Sequence, residues 1–250
     1  MSLVTIIMCN KNYGQYIREA IESVLAQDYP KDKLRLCIID DNSSDNSEDV
    51  ILEYVSGEKK KFLNTEVMTG KSNDIEVTYI KNKYSAGPSH CRNLGIEFYK
   101  DSEIFGILDA DDEMLPNKTK VLVAAIMQHP DIAVAYADYI IQGGTTRIEY
   151  KKCFDRKLLF QECIVHSGSF IRGSALMSVK DEFGYYDYTM RTCEDYDLWM
   201  RLAKKHMIIH VPEVLSRVKE TPNNSTSTVD KTVWIMNTQR VFQKCQKQQL

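Results

Sequence analysis

The chain has 250 residues, 43% hydrophobic and 27% charged, with a net charge of −3 at neutral pH. That length and apolar content suit one large α/β domain, and the charge gives no general electrostatic reason to bind nucleic acid. Seven scattered cysteines, never spaced C-x-x-C, argue against a zinc knuckle and a disulfide framework and for a reducing compartment. No basic segment leads into an apolar stretch, and no apolar run reaches the length of a membrane span. The chain therefore reads as cytoplasmic, with peripheral association at the inner face of a membrane left open.

In chain order, residues 3–9 form a short apolar run of the kind found in buried parallel strands. A polar turn at 10–15 precedes Ile17, Ala20, Ile21, Val24 and Leu25, which recur at helical spacing. Pro30 closes that helix, and residues 34–39 read as a second strand ending in Asp40-Asp41. The unit is βαβ, with its functional edge at the C-terminal ends of the strands. Residues 49–55 read as a helix and 56–74 as a polar surface loop containing the solvated Lys59-Lys60-Lys61 run. A strand at 76–80, a helix at 89–99 and a strand at 103–108 follow, the last running into Asp109. Pro116 suits the first turn of the next helix, and 132–137 is a strand. Beyond residue 140 the alternation weakens. A helix at 195–205, a strand at 207–211 and a last helix carrying Val233, Met236 and Val241 are expected, the last after a polar stretch at 221–228.

Acidic clusters sit at two of these strand ends and at one helix start: Asp40-Asp41, Asp109-Ala110-Asp111-Asp112 and Glu194-Asp195. Aspartate is common in turns and helix caps, but an open α/β sheet gathers its strand ends at one crevice. Two clusters in register with strand ends, one spaced D-x-D, favour function. Asp109 and Asp111 point to the same side of an extended segment. Such a pair suits a hard divalent cation that keeps positions open for phosphate, and a diphosphate leaving group needs that positive charge.

The order of motifs resembles that of family 2 glycosyltransferases, inverting enzymes of the GT-A fold. The matching stretches are Val4-Thr5-Ile6-Ile7, Ala20-Ile21-Glu22-Ser23-Val24-Leu25-Ala26-Gln27, Ile39-Asp40-Asp41-Asn42-Ser43-Ser44-Asp45 and Cys91-Arg92-Asn93-Leu94-Gly95-Ile96. Leu108-Asp109-Ala110-Asp111-Asp112 and Phe183-Gly184-Tyr185-Tyr186-Asp187 follow, leading to Glu194-Asp195-Tyr196-Asp197-Leu198-Trp199. The resemblance covers about residues 3–218. It implies a single GT-A type α/β domain at 1–218, a Rossmann-like mixed sheet flanked by helices. The nucleotide-binding half would span about 1–112 and the acceptor half about 113–218, with a C-terminal helical extension at 219–250. It further implies a divalent-metal-dependent, hexosyltransferase-type enzyme using Mg²⁺ or Mn²⁺. The donor would be a nucleotide-diphospho-sugar, a UDP-sugar in the leading reading. The acceptor would be a glycan or glycolipid, in surface polysaccharide or glycoconjugate assembly.

By the same resemblance Asp41 meets the nucleotide base, Cys9 and Asn10 belong to the donor site, and Arg92 lies near the nucleotide. An exposed arginine on an amphipathic helix is the alternative for Arg92. Asp109 faces the ribose and flanks the cation, Asp111 is the direct metal ligand, and Asp112 reads as a cap for the helix at Pro116. Asp195 matches the general base that takes the acceptor proton, with Glu194 as the alternative and an N-cap role open to either. His166 and Tyr186 fall on the acceptor side, where hydrogen bonding and packing compete with a sugar contact; Tyr185 and Tyr188 share that reading.

The chain departs from the family pattern in three places. Lys11 stands where relatives carry an aromatic that stacks on the base, with Tyr13 as the candidate substitute. Arg217-Val218-Lys219 offers a cation but no histidine where relatives have Arg-x-His. Residues 56–74 look inserted. The C-terminal helix reads as a capping helix, with docking to a partner or a membrane as the alternative. A sugar nucleotidyltransferase is the competing enzyme class, though residues 10–15 lack the Gly-rich basic loop it needs. A non-catalytic nucleotide- or carbohydrate-binding module is the third possibility.

Overall fold

The computed structural model describes residues 1–63, 65–222 and 224–247. Residues 248–250 of the expected extension lie outside these, as does one residue in each of the 56–74 and 221–228 stretches. The first half alternates: β1 (Val4–Asn10), α1 (Ile17–Leu25), β2 (Leu34–Asp40), α2 (Ser47–Leu52), β3 (Lys59–Phe62), β4 (Thr65–Ser72), β5 (Ile75–Lys81), α3 (Pro88–Phe98) and β6 (Ile104–Asp109). Then come β7 (Glu113–Met114), α4 (Lys118–Met127), β8 (Ile132–Gln142), β9 (Arg147–Glu149), α5 (Arg156–Leu159), β10 (Phe170–Arg172) and α6 (Gly173–Ser178). The chain continues through α7 (Glu194–Lys205), β11 (Met207–Lys219), α8 (Ser225–Thr228) and α9 (Lys231–Lys247).

These strands make one mixed sheet ordered β3-β4-β5-β2-β1-β6-β10-β8-β11-β7, with β9 paired to β8. Strands β5, β2, β1 and β6 run parallel, and β10 is antiparallel to both its neighbours. Parallel strands are buried on both faces, so period-two alternation divides β1 between two cores. Val4, Ile6 and Met8 pack with α1 residues Ile17, Ile21 and Val24, while Ile7 packs with Cys91 and Leu94 of α3. All five apolar residues singled out in α1 are buried.

Gly106 in β6 has no room for a side chain: a Cβ there would lie 2.6 Å from both Ile6 Cδ1 and Phe170 Cε1. Gly106→Ala is expected to cost about 1–3 kcal/mol by overpacking, read as a lower urea midpoint with an unchanged slope.

Two expectations are corrected here. Residues 56–74 are largely β3 and β4, an antiparallel hairpin that extends the sheet from β5. The lysine run is its edge strand, where charge blocks pairing with another chain. Asp112 does not cap α4; its Oδ1 accepts from the Lys219 amide of β11 at 3.0 Å. The last helix forms as expected, with Val241 buried and Met236 62% exposed. The buried stripe of α9 is Trp234, Val241 and Cys245, packed on the core beside α7. Lys244 fastens this helix, with Nζ 2.8 Å from Asp197 and 3.0 Å from Asp187. All seven cysteines are free, and no described helix is long and apolar enough to cross a membrane.

Candidate active site

Register decides which side chains meet. Asn10 pairs with Asp40 across β1 and β2, and Cys9 pairs with Asp109 across β1 and β6. The C-terminal ends of three parallel strands thus share one edge, and a cleft of about 1060 Å³ opens over it. Cys9, Asn10, Asp41, Arg92, Asp109 and Asp111 line this cleft from the first half of the chain, and His166, Glu194 and Asp195 from the second. Tyr186 is the exception, and its expected acceptor contact is corrected. It is 1% exposed, with its ring 5.3 Å from the Arg92 guanidinium, so it has no face to offer a sugar. Tyr185 is equally enclosed, whereas Tyr188 is exposed and lines the cleft.

Asp41 is held by the loop that follows β5. Its Oδ1 accepts from Asn82 Nδ2 at 2.9 Å and the Ala86 amide at 2.8 Å, and its Oδ2 from Ser85 Oγ at 2.7 Å and the Gly87 amide at 2.9 Å. Burial disfavours its charge, but these four donors prevail and hold the carboxyl below the usual range. The carboxylate is saturated, so direct pairing with a base requires one donor to let go. Asp40 is structural, accepting from Asn10 Nδ2 at 2.7 Å and from the Ser43 amide at 2.9 Å. Lys11 donates to the Asp41 carbonyl at 2.8 Å, and Tyr13 lines the cleft.

Arg92 is 4% exposed, which corrects the amphipathic-surface alternative. Its Nη1 donates to Glu194 Oε1 at 2.6 Å and its Nη2 to Asp109 Oδ1 at 3.1 Å. Burial opposes the charge, yet Asp109 and then Glu194 outweigh it and keep the guanidinium firmly protonated. Arg92 is therefore a clamp between the end of β6 and the start of α7.

The D-x-D pair differs in environment. Asp109 keeps a side chain 39% exposed, while Asp111 is buried and accepts from Thr221 Oγ1 at 3.2 Å. Burial first, then the charge of Asp109, pushes the Asp111 carboxyl up to about 6. Among the described residues no group of three or more His, Cys, Asp or Glu closes around a metal ion. Two carboxylates, with the remaining positions left to phosphate and water, fit the way Mg²⁺ binds beside nucleotides. The Arg217 and Lys219 cations point elsewhere. Arg217 is 3.2 Å and Lys219 2.9 Å from Glu113, and Val218 between them lines the cleft.

Asp195 is half-buried in the first turn of α7, after Cys193 in the left-handed conformation at φ 62°. That conformation is uncommon for a non-glycine residue and marks a constrained start to the helix. Burial, and next the adjacent Glu194 charge, raise the Asp195 carboxyl to about 7, against the opposing pull of Arg92. His166 Nδ1 accepts from the Gly168 amide at 3.1 Å, and its ring packs 4.3 Å from that of Tyr139. Burial, then the Lys118 and Lys151 charges, drive it down to about 3, so it is neutral at every working pH.

Three residues that sequence reasoning did not single out complete the site. Thr221 orients Asp111, and Lys118 lies buried with its charge toward Asp112 and Asp109, brought down to about 8 by burial. Arg191 is exposed at the cleft. None has a spacing signal, because each reaches the site through tertiary packing of a separate segment.

Known proteins share this architecture. The model of glycosyl transferase family 2 matches residues 5–183. The chain is 26% identical over 208 residues to WfgD of Escherichia coli, a UDP-Glc:alpha-D-GlcNAc-diphosphoundecaprenol beta-1,3-glucosyltransferase, covering 82% of this chain and 72% of WfgD. The crystal structure of S. aureus TarS 1-349 in complex with UDP-GlcNAc superposes with a TM-score of 0.71 at 16% identity, covering 92% of this chain and 62% of that one. The mannosyltransferase PcManGT of Pyrobaculum calidifontis, in complex with GDP-Man and Mn²⁺, gives 0.63 at 18%, covering 88% and 56%. The chain thus spans about six tenths of these solved chains, and its fold is the expected single α/β domain of GT-A type. With more than two thirds of its length matched by one family model, the chain belongs to glycosyl transferase family 2.

Proposed function

We propose that the chain moves a sugar from a UDP-sugar to a hydroxyl of a glycan or glycolipid acceptor, inverting the anomeric centre, in surface polysaccharide or glycoconjugate assembly. The observation that carries this reading is that Asp109, Asp111 and Asp195 line one cleft, with the Asp195 carboxyl raised to about 7. The relatives support it in kind: TarS is described with UDP-GlcNAc, and WfgD is named for a UDP-Glc donor and a lipid diphosphate acceptor. A lipid-linked acceptor goes with a cytoplasmic protein working at a membrane face. Membership of a glycosyl transferase family supports sugar transfer over the competing sugar nucleotidyltransferase reading.

Asp111 and Asp109 would hold Mg²⁺ or Mn²⁺, which when bound supplies positive charge to the departing diphosphate. Asp109 also faces the ribose. Asp41 orders the loop at residues 82–87 against the base, contacting the base itself when Ser85 turns away. Cys9 and Asn10 form the floor of the donor site. Asp195 accepts the proton of the acceptor hydroxyl as that oxygen bonds to the anomeric carbon and the carbon–diphosphate bond breaks. A base with a pKa near the working pH is suited to this transfer. Arg92 fixes Glu194 and Asp109 and favours the ionised form of Asp195. Residues 1–112 then serve the donor and 113–218 the acceptor, and Thr221 of the C-terminal extension supports Asp111.

Titration calorimetry of UDP with Mn²⁺ tests the donor half. Asp111→Ala is expected to weaken binding on the order of a hundredfold, by loss of a charged ligand in a buried site. Equal heats for variant and parent protein would remove Asp111 from the role. Turnover of a UDP-sugar separates a transferase from a non-catalytic binding module.

A further inference from the structure

One wall of the cleft takes no part in the donor chemistry above. It is built from residues around 188–193 and 228–238, all beyond the stretch matched by the family model. Trp234 of α9 stands in this wall, half-buried and lining the cleft. Helical spacing puts Trp234, Thr238, Val241 and Cys245 on one stripe. Val241 and Cys245 are buried in the core, and Thr238 Oγ1 lies 3.6 Å from Cys193 Sγ. Cys193 is the N-cap of the helix that carries Asp195. Trp234 is therefore one helical turn outward from the contact that fixes the start of that helix, where the stripe leaves the core and enters the cleft.

The helix that carries the indole is firmly placed. Asn237 Nδ2 donates to Thr192 Oγ1 at 2.9 Å, and Arg240 and Lys244 bond the fully buried Asp187 at 3.2 and 3.0 Å. Around it the wall carries threonine side chains at 189, 192, 228 and 238. An aromatic face bordered by threonines and the exposed Arg191 suits a ligand with one apolar face and a polar rim. Inversion requires the acceptor to approach opposite the diphosphate, on the side of Asp195, and Trp234 lies next to that helix start.

We infer that Trp234 is the acceptor platform: a pyranose stacks its C–H face on the indole and presents one hydroxyl to Asp195. This rests on the transferase reading of the cleft, and the test keeps the two apart. The protein, saturated with UDP and Mn²⁺, is titrated with methyl glycosides of glucose, galactose, mannose and N-acetylglucosamine, in both anomers, up to 50 mM on the order of weak sugar affinities. Tryptophan emission is read. The chain has two tryptophans, and Trp199 is fully buried, so a sugar-dependent change reports Trp234. At least one glycoside is expected to change the emission of the parent protein and not that of Trp234→Phe. By saturation-transfer NMR, Trp234→Ala should bind that glycoside roughly tenfold more weakly, and Trp234→Phe, which keeps a ring, within about threefold of the parent. UDP–Mn²⁺ affinity serves as the folding control for both variants. No response from the parent to any glycoside, or equal sugar affinity in Trp234→Ala, overturns the platform. Absence of UDP–Mn²⁺ binding by the parent instead overturns the transferase reading beneath it.

Discussion

Replacing Asp195 by Asn is expected to lower turnover by about 10²–10⁴-fold while leaving UDP–Mn²⁺ affinity unchanged, the loss typical of a general base. The amide keeps the shape of the side chain and its place in the first turn of α7, but it cannot take a proton. The pH dependence follows from the raised carboxyl. Asp195 must be ionised to act, and burial beside Glu194 has brought it to about 7. In the parent protein kcat/KM should fall about tenfold per pH unit below 7 and level off above it, reporting the free enzyme. Asp195→Asn should lose that limb along with the activity. Full turnover by Asp195→Asn with loss in Glu194→Gln would transfer the role to Glu194. The helix N-terminus opposes the shift, since its dipole favours a carboxylate. Burial and the neighbouring charge win because Glu194 and Asp195 are adjacent within a closed first turn.

Arg92→Met should have the largest effect on stability. The guanidinium is 4% exposed and bonds two carboxylates, one of them, Glu194, also buried. Removing one partner of a buried pair leaves the other charges uncompensated, at about 3–5 kcal/mol. For a chain of this size that corresponds to a drop of roughly 10 °C in Tm, measurable by calorimetry. Arg92→Met/Glu194→Gln should recover part of the loss, because the uncompensated charge is then gone. The single variant should also move the pH–rate limb to higher pH, since Arg92 is the charge that favours ionised Asp195. An unchanged Tm together with an unchanged limb would reduce Arg92 to a packing residue.

Local pattern carried a good part of this far. The strands of the first half are apolar runs because parallel strands are covered on both faces, so β1, β2, β5 and β6 stand out without any partner information. The five buried positions of α1 follow from period 3.6 alone. The hairpin β3–β4 escaped because its pattern is polar: an edge needs charge more than it needs a core face, and Lys59-Lys60-Lys61 reads as loop. Strand β10 escaped for the opposite reason. Its three residues lie in the middle of the sheet between β6 and β8, too few to show any period. Tyr186 illustrates the limit for sites. An aromatic beside a motif is equally a sugar face or a core ring, and only its enclosure under Arg92 separates the two.

The D-x-D pair, the Asp40-Asp41 turn and the Glu194-Asp195 helix start were determined by the sequence itself, because strand ends and helix starts are written in local composition. Tertiary structure alone decided what each carboxyl is. Asp40 braces Asn10, Asp41 is saturated by the loop after β5, and Asp112 binds the backbone of β11. Asp195 is brought to about 7 by burial and the Glu194 charge, held in check by an arginine more than a hundred residues earlier. Those distinctions depend on desolvation and on charges brought close by folding, and neither quantity has a value until the chain is packed.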